Sequence, residues 1–218
     1  MAHMHTHEDE LTEIKDFVIK NLSDMKDEVK LVTFLDDTSK CHYCNDLKVI
    51  LDLISKNVSK VKVEYYNVYD EEAKTYGVKY APTIILEKGS KRNIRYIGIP
   101  GGYEFPIFIE TIRNLSRNET KLSKRSKDIL SKIKQPVNIK VLITLSCPYC
   151  PFAARTSNSF AIENEYVISE IIDAGEIEEE AIKYEVEAVP KIVINEKIQM
   201  LGAQPENRFL DAVLSALE

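Results

Sequence analysis

Apolar residues recur every three to four positions at Leu11, Ile14, Val18, Leu22 and Met25, the spacing of one helix face. The short apolar run Lys30–Leu35 then predicts a strand. A second helical stripe follows at Leu47, Ile50, Leu51 and Ile54, then a strand over Val61–Val68 and a short acidic helix ending before Pro82. Two strands, the first at Thr83–Leu86, and a helix bearing Phe105, Phe108, Ile112 and Leu115 come next. The succession then returns. Leu122, Ile129 and Ile133 predict a helix over 120–134, Ile139–Leu145 a strand and Phe152–Glu163 a helix. Tyr166–Ile172 reads as a fully buried strand from its β-branched content. An acidic helix precedes Pro190, Lys191–Ile194 is apolar, and Phe209, Val213 and Leu217 stripe the last helix. The order is helix–strand–helix–strand–helix–strand–strand–helix, twice. Such alternation predicts an α/β class with mixed sheets flanked by helices on both faces.

The halves also match residue by residue. Glu71, Glu72, Ala73, Tyr76, Val78 and Pro82 align with Glu179, Glu180, Ala181, Tyr184, Val186 and Pro190, and Gly98 and Phe105 with Gly202 and Phe209. The boundary is expected near 117–121, giving units 8–118 and 119–218. No long Pro- or Ser-rich linker separates them, so the halves are expected to pack together. Residues 1–7, with His3, His5 and His7, read as a tag or disordered tail rather than a metal site.

With 44% hydrophobic and 29% charged residues, the 218-residue chain has a core to bury and is no disordered segment. A net charge of -6 argues against a nucleic-acid partner. The run Lys121, Lys124, Arg125, Lys127 reads as a solvated helix face, and the acids Glu176, Glu178, Glu179 and Glu180 as the first turn of a helix. No apolar stretch reaches the roughly 18–20 residues of a membrane span. The His- and acid-rich start is unlike a secretory signal.

The four cysteines change the picture most. They occur only as Cys41-His42-Tyr43-Cys44 and Cys147-Pro148-Tyr149-Cys150. Shared zinc is one reading, but zinc pairs lie closer in sequence and on knuckle-like turns. Structural disulfides are a second, yet a four-residue ring removes little chain entropy. Redox exchange is the third. Each pair follows a strand and opens a helix, where free N–H groups and the helix dipole favour a thiolate. The second cysteine, a turn on, is placed to resolve a mixed disulfide. Ala81-Pro82 and Val189-Pro190 each stand just before a strand, either as trans prolines opening an edge strand or as cis prolines beside the cysteines.

Cys147-Pro148-Tyr149-Cys150 with Val189-Pro190 resembles glutaredoxin. The tandem of both units, with Tyr96–Phe105 and Phe160–Asn164, resembles the archaeal-type, glutaredoxin-like protein disulfide oxidoreductase family. That resemblance implies two tandem thioredoxin-fold units packed as one continuous sheet, cis prolines at Pro82 and Pro190, and thiol–disulfide exchange on protein substrates. It also implies a cytoplasmic, thermophile-type protein with no cofactor beyond its cysteine pairs. The Lys/Glu/Ile-rich sequence with three Gln fits the thermophile hint. Two departures stand out. The strand Val141–Leu145 lacks the buried acid that thioredoxin places there, and the first copy has only Asp36 and Asp37 at its end. Leu201–Glu206 also departs from the glutaredoxin stretch that grips glutathione. A protein dithiol or a thioredoxin-reductase-like flavoenzyme is the electron partner this points to.

On that resemblance, Cys41 and Cys147 are the nucleophiles and Cys44 and Cys150 resolve. His42 stabilises the Cys41 thiolate or is merely solvated. Pro148 fixes φ for the first helical turn. Tyr149 lines the groove or packs. Ala81 and Val189 offer backbone to an extended substrate. Two alternatives are an electron relay from a flavoenzyme to a peroxiredoxin and a non-catalytic peptide-binding module.

Overall fold

The computed structural model describes residues 7–38 and 41–218, so His3 and His5 lie outside the described residues while His7 opens the first helix. α1 (His7–Leu22) sets Val18 and Leu22 into the core beside β1 (Val29–Leu35). α2 (Cys44–Asn57) buries Leu47, Leu51 and Ile54. β2 (Val61–Asn67), α3 (Glu71–Tyr76), β3 (Thr83–Lys88) and β4 (Lys91–Ile97) follow. A 3-10 turn at Gly102–Glu104 leads into α4 (Phe105–Arg117). The second half repeats the order as α5 (Lys124–Leu130), β5 (Val137–Ile143), α6 (Cys150–Glu163), β6 (Val167–Asp173), α7 (Glu178–Lys183), β7 (Lys191–Ile194), β8 (Ile198–Leu201) and α8 (Glu206–Ser215).

The eight strands form one mixed sheet in the order β2-β1-β3-β4-β6-β5-β7-β8. β4 and β6 pair in parallel, from Ile94 opposite Ser169 to Ile97 opposite Ile172, and so join the halves. β1, β4, β6 and β5 run the same way, and β3 and β7 run against them. The ends of β1 and β5 and the starts of β3 and β7 therefore share one edge of the sheet.

α4 packs on α6 across the seam, with Phe108, Ile112, Ala153, Ala154 and Phe160 in a single apolar cluster. Burying one such large side chain stabilises by about 1.5–3 kcal/mol, against about 0–1 for an exposed ion pair. Apolar packing therefore dominates this seam. Buried polar groups fix its register. Asn158 Nδ2 donates to Tyr96 Oη (2.9 Å) and Thr111 Oγ1 (3.1 Å), and Asn93 Nδ2 donates to the carbonyls of Ala161 (2.8 Å) and Val167 (2.6 Å).

Three sequence expectations need correction. The helix expected over 120–134 is confined to Lys124–Leu130. Ser123 Oγ caps its start by accepting from Ser126 N–H, and buried Asn164 takes the Leu130 and Ile133 carbonyls at 2.6 and 3.0 Å, ending it. The strand expected to be fully buried leaves Ile168 and Glu170 half-buried. On that face the short helices α3 and α7 leave a cleft of about 160 Å³, lined by Arg95, Lys140, Glu170 and Glu180 among others. Glu176 is no part of a helical first turn. It precedes α7, lies partly buried, and accepts the Ile99 N–H of the first unit at 3.1 Å. The basic run behaves as expected, with Lys121, Lys124 and Arg125 exposed and Lys127 paired to Glu163 at 2.9 Å.

Candidate active sites

After β5 the chain turns through Thr144–Tyr149, where the Cys147 N–H closes a tight turn on the Thr144 carbonyl at 3.1 Å. α6 begins at Cys150, with Pro151 in its first turn where a missing N–H costs nothing. Pro148 lies ahead of the helix and not within its first turn, which corrects the expectation for that residue. Cys147 and Cys150 are disulfide-bonded, with Cα atoms 5.5 Å apart. The Cys150 N–H donates to Cys147 Sγ at 3.1 Å, and the Val189 carbonyl oxygen lies 3.8 Å from the same sulfur. Cys150 is fully buried while Cys147 retains 8% exposure, so Cys147 is the residue of the pair that solvent reaches. Tyr149 is 66% exposed, which leaves no packing role for it.

The first pair repeats this plan at the start of α2. Cys41 and Cys44 are disulfide-bonded with Cα atoms 5.6 Å apart, Cys44 buried and Cys41 half-buried. The Asp36 N–H donates to Cys44 Sγ at 3.3 Å. The Asp36 carboxylate accepts from Thr38 N–H (2.8 Å) and from Tyr69 Oη (3.2 Å), and this raises the Tyr69 phenol above its ordinary value. His42 is exposed on the rim.

Both Ala81-Pro82 and Val189-Pro190 are cis, at the starts of β3 and β7. Gly98 N–H donates to the Pro82 carbonyl and Gly202 N–H to that of Pro190, each at 2.8 Å, so the repeat extends to matched backbone bonds. Ala81, Val189 and Cys41 pack against the same core as the buried cysteines.

One residue at the second site escaped the sequence reading. Glu104 is fully buried, and neither carboxyl oxygen has a hydrogen-bond partner among the described residues. The 3-10 turn that carries it packs on α6 and is tied to the loop before Cys147, because Tyr103 N–H donates to the Leu145 carbonyl at 3.1 Å. Burial pushes the Glu104 carboxyl up to about 7, against a weaker downward pull from Arg155 in α6. Gly101-Gly102 just ahead of an acid is the signal that a search for close backbone approach would have found. Gly102 has φ 54°, and a β-carbon there would collide with the Leu145 carbonyl oxygen. Nearby, burial raises Glu176 to about 7 and also raises Asp173, beside Gly98 of the other unit.

Known proteins share this arrangement. The Thioredoxin domain family matches residues 137–215. The chain is 34% identical over 83 residues to a protein named "Probable Thioredoxin" from Methanothermobacter thermautotrophicus, covering 38% of this chain and 98% of that one. It is 31% identical to a solved protein disulfide oxidoreductase from Aeropyrum pernix, with a TM-score of 0.84 over 96% of this chain and 92% of that one. The chain belongs to the tandem thioredoxin-fold, glutaredoxin-like protein disulfide oxidoreductase family. As a member of it, the protein is an oxidoreductase with two disulfide-forming Cys-x-x-Cys pairs. The same tandem fold, at 19% identity and a TM-score of 0.82, occurs in an alkylhydroperoxide reductase from Enterococcus faecalis, over 95% of this chain and 99% of that one. Among the described residues no helix is long and apolar enough to cross a membrane, and no cluster of His, Cys, Asp or Glu forms a metal site.

Within this oxidoreductase the two cysteine pairs have chemically different neighbours. Around Cys41 stand His42, the exposed rings of Tyr43 and Tyr69, and the exposed acids Asp37 and Asp46. Around Cys147 stand Pro148, Tyr149 and Phe152, the last at 55% exposure.

Proposed function

We propose that the protein reduces, forms or reshuffles disulfides in polypeptide substrates through both cysteine pairs. The observation that carries this reading is the pose of Cys147, the outer sulfur of its pair, with the Cys150 N–H at 3.1 Å and the Val189 carbonyl at 3.8 Å. That N–H and the positive end of α6 favour a thiolate at Cys147 in the reduced protein. In the reducing direction the thiolate attacks one sulfur of a substrate disulfide. The other substrate sulfur leaves with the electron pair and takes up a proton, and a Cys147–substrate disulfide forms. Cys150 then gives up its proton and attacks the Cys147 sulfur. The substrate leaves as a dithiol and the Cys147–Cys150 disulfide closes, two electrons having passed to the substrate. Oxidation is the reverse.

Glu104, a buried carboxyl near 7 on the turn packed against α6, serves in this scheme as the acceptor of the Cys150 proton, the part for which β5 has no acid. At the first site Asp36, whose N–H donates to Cys44 Sγ, takes the part of the proton acceptor, and His42 stabilises the neighbouring Cys41 thiolate. An extended substrate pairs with the backbone of Val189 or Ala81 beside Pro190 or Pro82. Tyr149 lines the groove. No bound cofactor enters this scheme. A cytoplasmic thioredoxin-reductase-like flavoenzyme is the electron partner that fits two dithiol sites without a glutathione grip.

Reduction of insulin by dithiothreitol tests the reading. The intact protein accelerates it, and a rate held at the uncatalysed value would refute the proposal. Cys147→Ser removes turnover at the second site. A second reading, an electron relay to a peroxiredoxin, keeps its place because the Enterococcus faecalis alkylhydroperoxide reductase shares the tandem fold. NADPH consumption with purified flavoenzyme and peroxiredoxin separates the two.

A further inference from the structure

The two units hold the residue ahead of their cis proline differently. Ala81 occupies in the first unit the place of Val189 in the second, where the Val189 carbonyl lies 3.8 Å from Cys147 Sγ. Ala81 and Cys41 pack against the same apolar cluster. The pose of the Ala81 backbone is set by its flanks. Thr83 Oγ1 donates to the Tyr80 carbonyl at 2.7 Å, and Gly98 N–H donates to the Pro82 carbonyl at 2.8 Å. The Tyr80 side chain, by contrast, leaves its own unit. It packs against the second unit's buried cluster of Leu142, Ile172, Ile177, Tyr184 and Val193, and its hydroxyl donates to Glu180 Oε1 of α7 at 2.9 Å. In the second unit Ala188 and Lys191 stand where Tyr80 and Thr83 stand in the first. Alanine and lysine can supply neither the phenol bond nor the hydroxyl brace, and Lys191 donates instead to the Tyr184 and Glu185 carbonyls of its own unit.

Glu180 is itself firmly held. It is buried, at 8% exposure, and lines the cleft of about 160 Å³ together with Tyr80. Lys140 Nζ of β5 lies 3.7 Å from its other oxygen, and that lysine is fixed by Tyr184 Oη at 2.7 Å and Glu196 Oε1 at 2.9 Å. A second contact between the units, Lys79 with Glu179 at 3.1 Å, has both side chains largely exposed, and such a pair contributes little. The Tyr80 bond to a buried carboxylate is the stronger tie, because losing one partner leaves the other unsatisfied away from water.

We infer that Glu180 of the second unit is a positioning residue for the first site: through Tyr80 it holds the Ala81 backbone in the pose with which an extended substrate pairs. The inference rests on the disulfide-exchange reading above and adds what sets polypeptide affinity at the first site. Strand-like pairing needs the backbone groups of Ala81 presented in one geometry. A loop that samples other poses binds in proportion to the fraction of time it holds the right one. Glu180 acts on the loop and not on the sulfurs, so its loss weakens polypeptide binding and leaves the exchange chemistry of Cys41 and Cys44 in place. A small disulfide without a peptide backbone does not feel it.

The test isolates one site at a time. The first site alone is obtained with Cys147→Ser and Cys150→Ser, and the second alone with Cys41→Ser and Cys44→Ser. Two substrates are reduced under dithiothreitol: 2-hydroxyethyl disulfide, and a synthetic peptide whose one cysteine is in a disulfide to 2-mercaptoethanol. At the first site Tyr80→Phe and Glu180→Ala should each raise KM for the peptide about tenfold with kcat little changed, and the two together should raise it no further. Both variants should leave kcat/KM for 2-hydroxyethyl disulfide within about twofold of the native value, and should leave the peptide KM of the second site unmoved. A first-site peptide KM unmoved by Tyr80→Phe, an equal loss with both substrates, effects that multiply in the double variant, or the same rise at the second site overturns the inference alone. A first site that fails to turn over the peptide with Tyr80 and Glu180 intact overturns the disulfide-exchange reading and the inference with it.

Discussion

Glu104→Gln is the sharpest perturbation of the second site, because it removes a charge that the fold resists without removing volume. Burial moves the carboxyl from its ordinary 4.5 to about 7. An acid raised on folding binds its proton more tightly in the native state than in the unfolded one. Its stability contribution is therefore intact below 4.5 and is lost as pH rises from 4.5 through 7. The full loss is about 3 kcal/mol, of which about 2.5 falls between pH 5 and pH 8. A glutamine in the same place cannot ionise. Its buried amide costs about 1–3 kcal/mol at every pH, so that cost cancels when two pH values are compared. Asp173 and Glu176 titrate in both proteins and cancel as well. Urea denaturation at pH 5 and pH 8 should show the stability gap between variant and native protein moving by about 2.5 kcal/mol in favour of the variant. A gap that moves by less than about 0.5 kcal/mol would refute the claim that Glu104 is held neutral by burial. The same variant should slow resolution of a Cys147 mixed disulfide by about 10²-fold at pH 7, read by quenched-flow trapping.

Other substitutions probe separate features of the chain. His42→Phe removes a polar side chain beside Cys41 and should make the first disulfide harder to reduce by about 30 mV, measured by redox titration with the second pair mutated; an unchanged potential would discard the role of His42. Gly102→Ala places a β-carbon against the Leu145 carbonyl at a positive φ and should cost about 1–3 kcal/mol, while slowing the second site more than the first. Asn164→Ala strips the Leu130 and Ile133 carbonyls and the Tyr166 N–H (2.7 Å) of their partner; a loss of about 3 kcal/mol by urea denaturation is expected, with hydrogen exchange rising first in α5.

Much of this protein could be read from its chain because the informative residues are local. Each cysteine pair lies between a strand and a helix that its neighbours alone specify, and each Pro opens the next strand. The helical and strand periods therefore gave the element order, and the matched acids and prolines gave the repeat. What escaped was tertiary. Glu104 lies buried in a turn packed on the helix of a cysteine pair more than forty positions away in the other unit, and no spacing encodes that reach. The helix at α5 is cut short by Asn164, a side chain from beyond the next strand, which no local propensity announces. Ile168 looked like a buried residue because its neighbours are branched, but it lines a surface cavity of about 250 Å³ with Lys91, Arg92, Asn93 and Glu165. Two consecutive glycines ahead of a lone acid were visible all along. Their meaning appears only when Leu145 is seen to lie against them.

The shared sheet edge also governs how partners approach. Cys41 follows β1 and Cys147 follows β5, with β3, β4 and β6 between them. Four inter-strand steps of about 4.8 Å put the two pairs about 19 Å apart, too far for sulfurs to exchange directly within one chain. Four steps of sheet twist also turn one site from the other by about 80–100°. A rigid folded partner that fits one groove consequently faces away from the other, and electrons move between the pairs only when a substrate leaves one and rebinds. A flexible polypeptide is different: about six extended residues cover 19 Å, so two cysteines spaced at least that far apart can be engaged together.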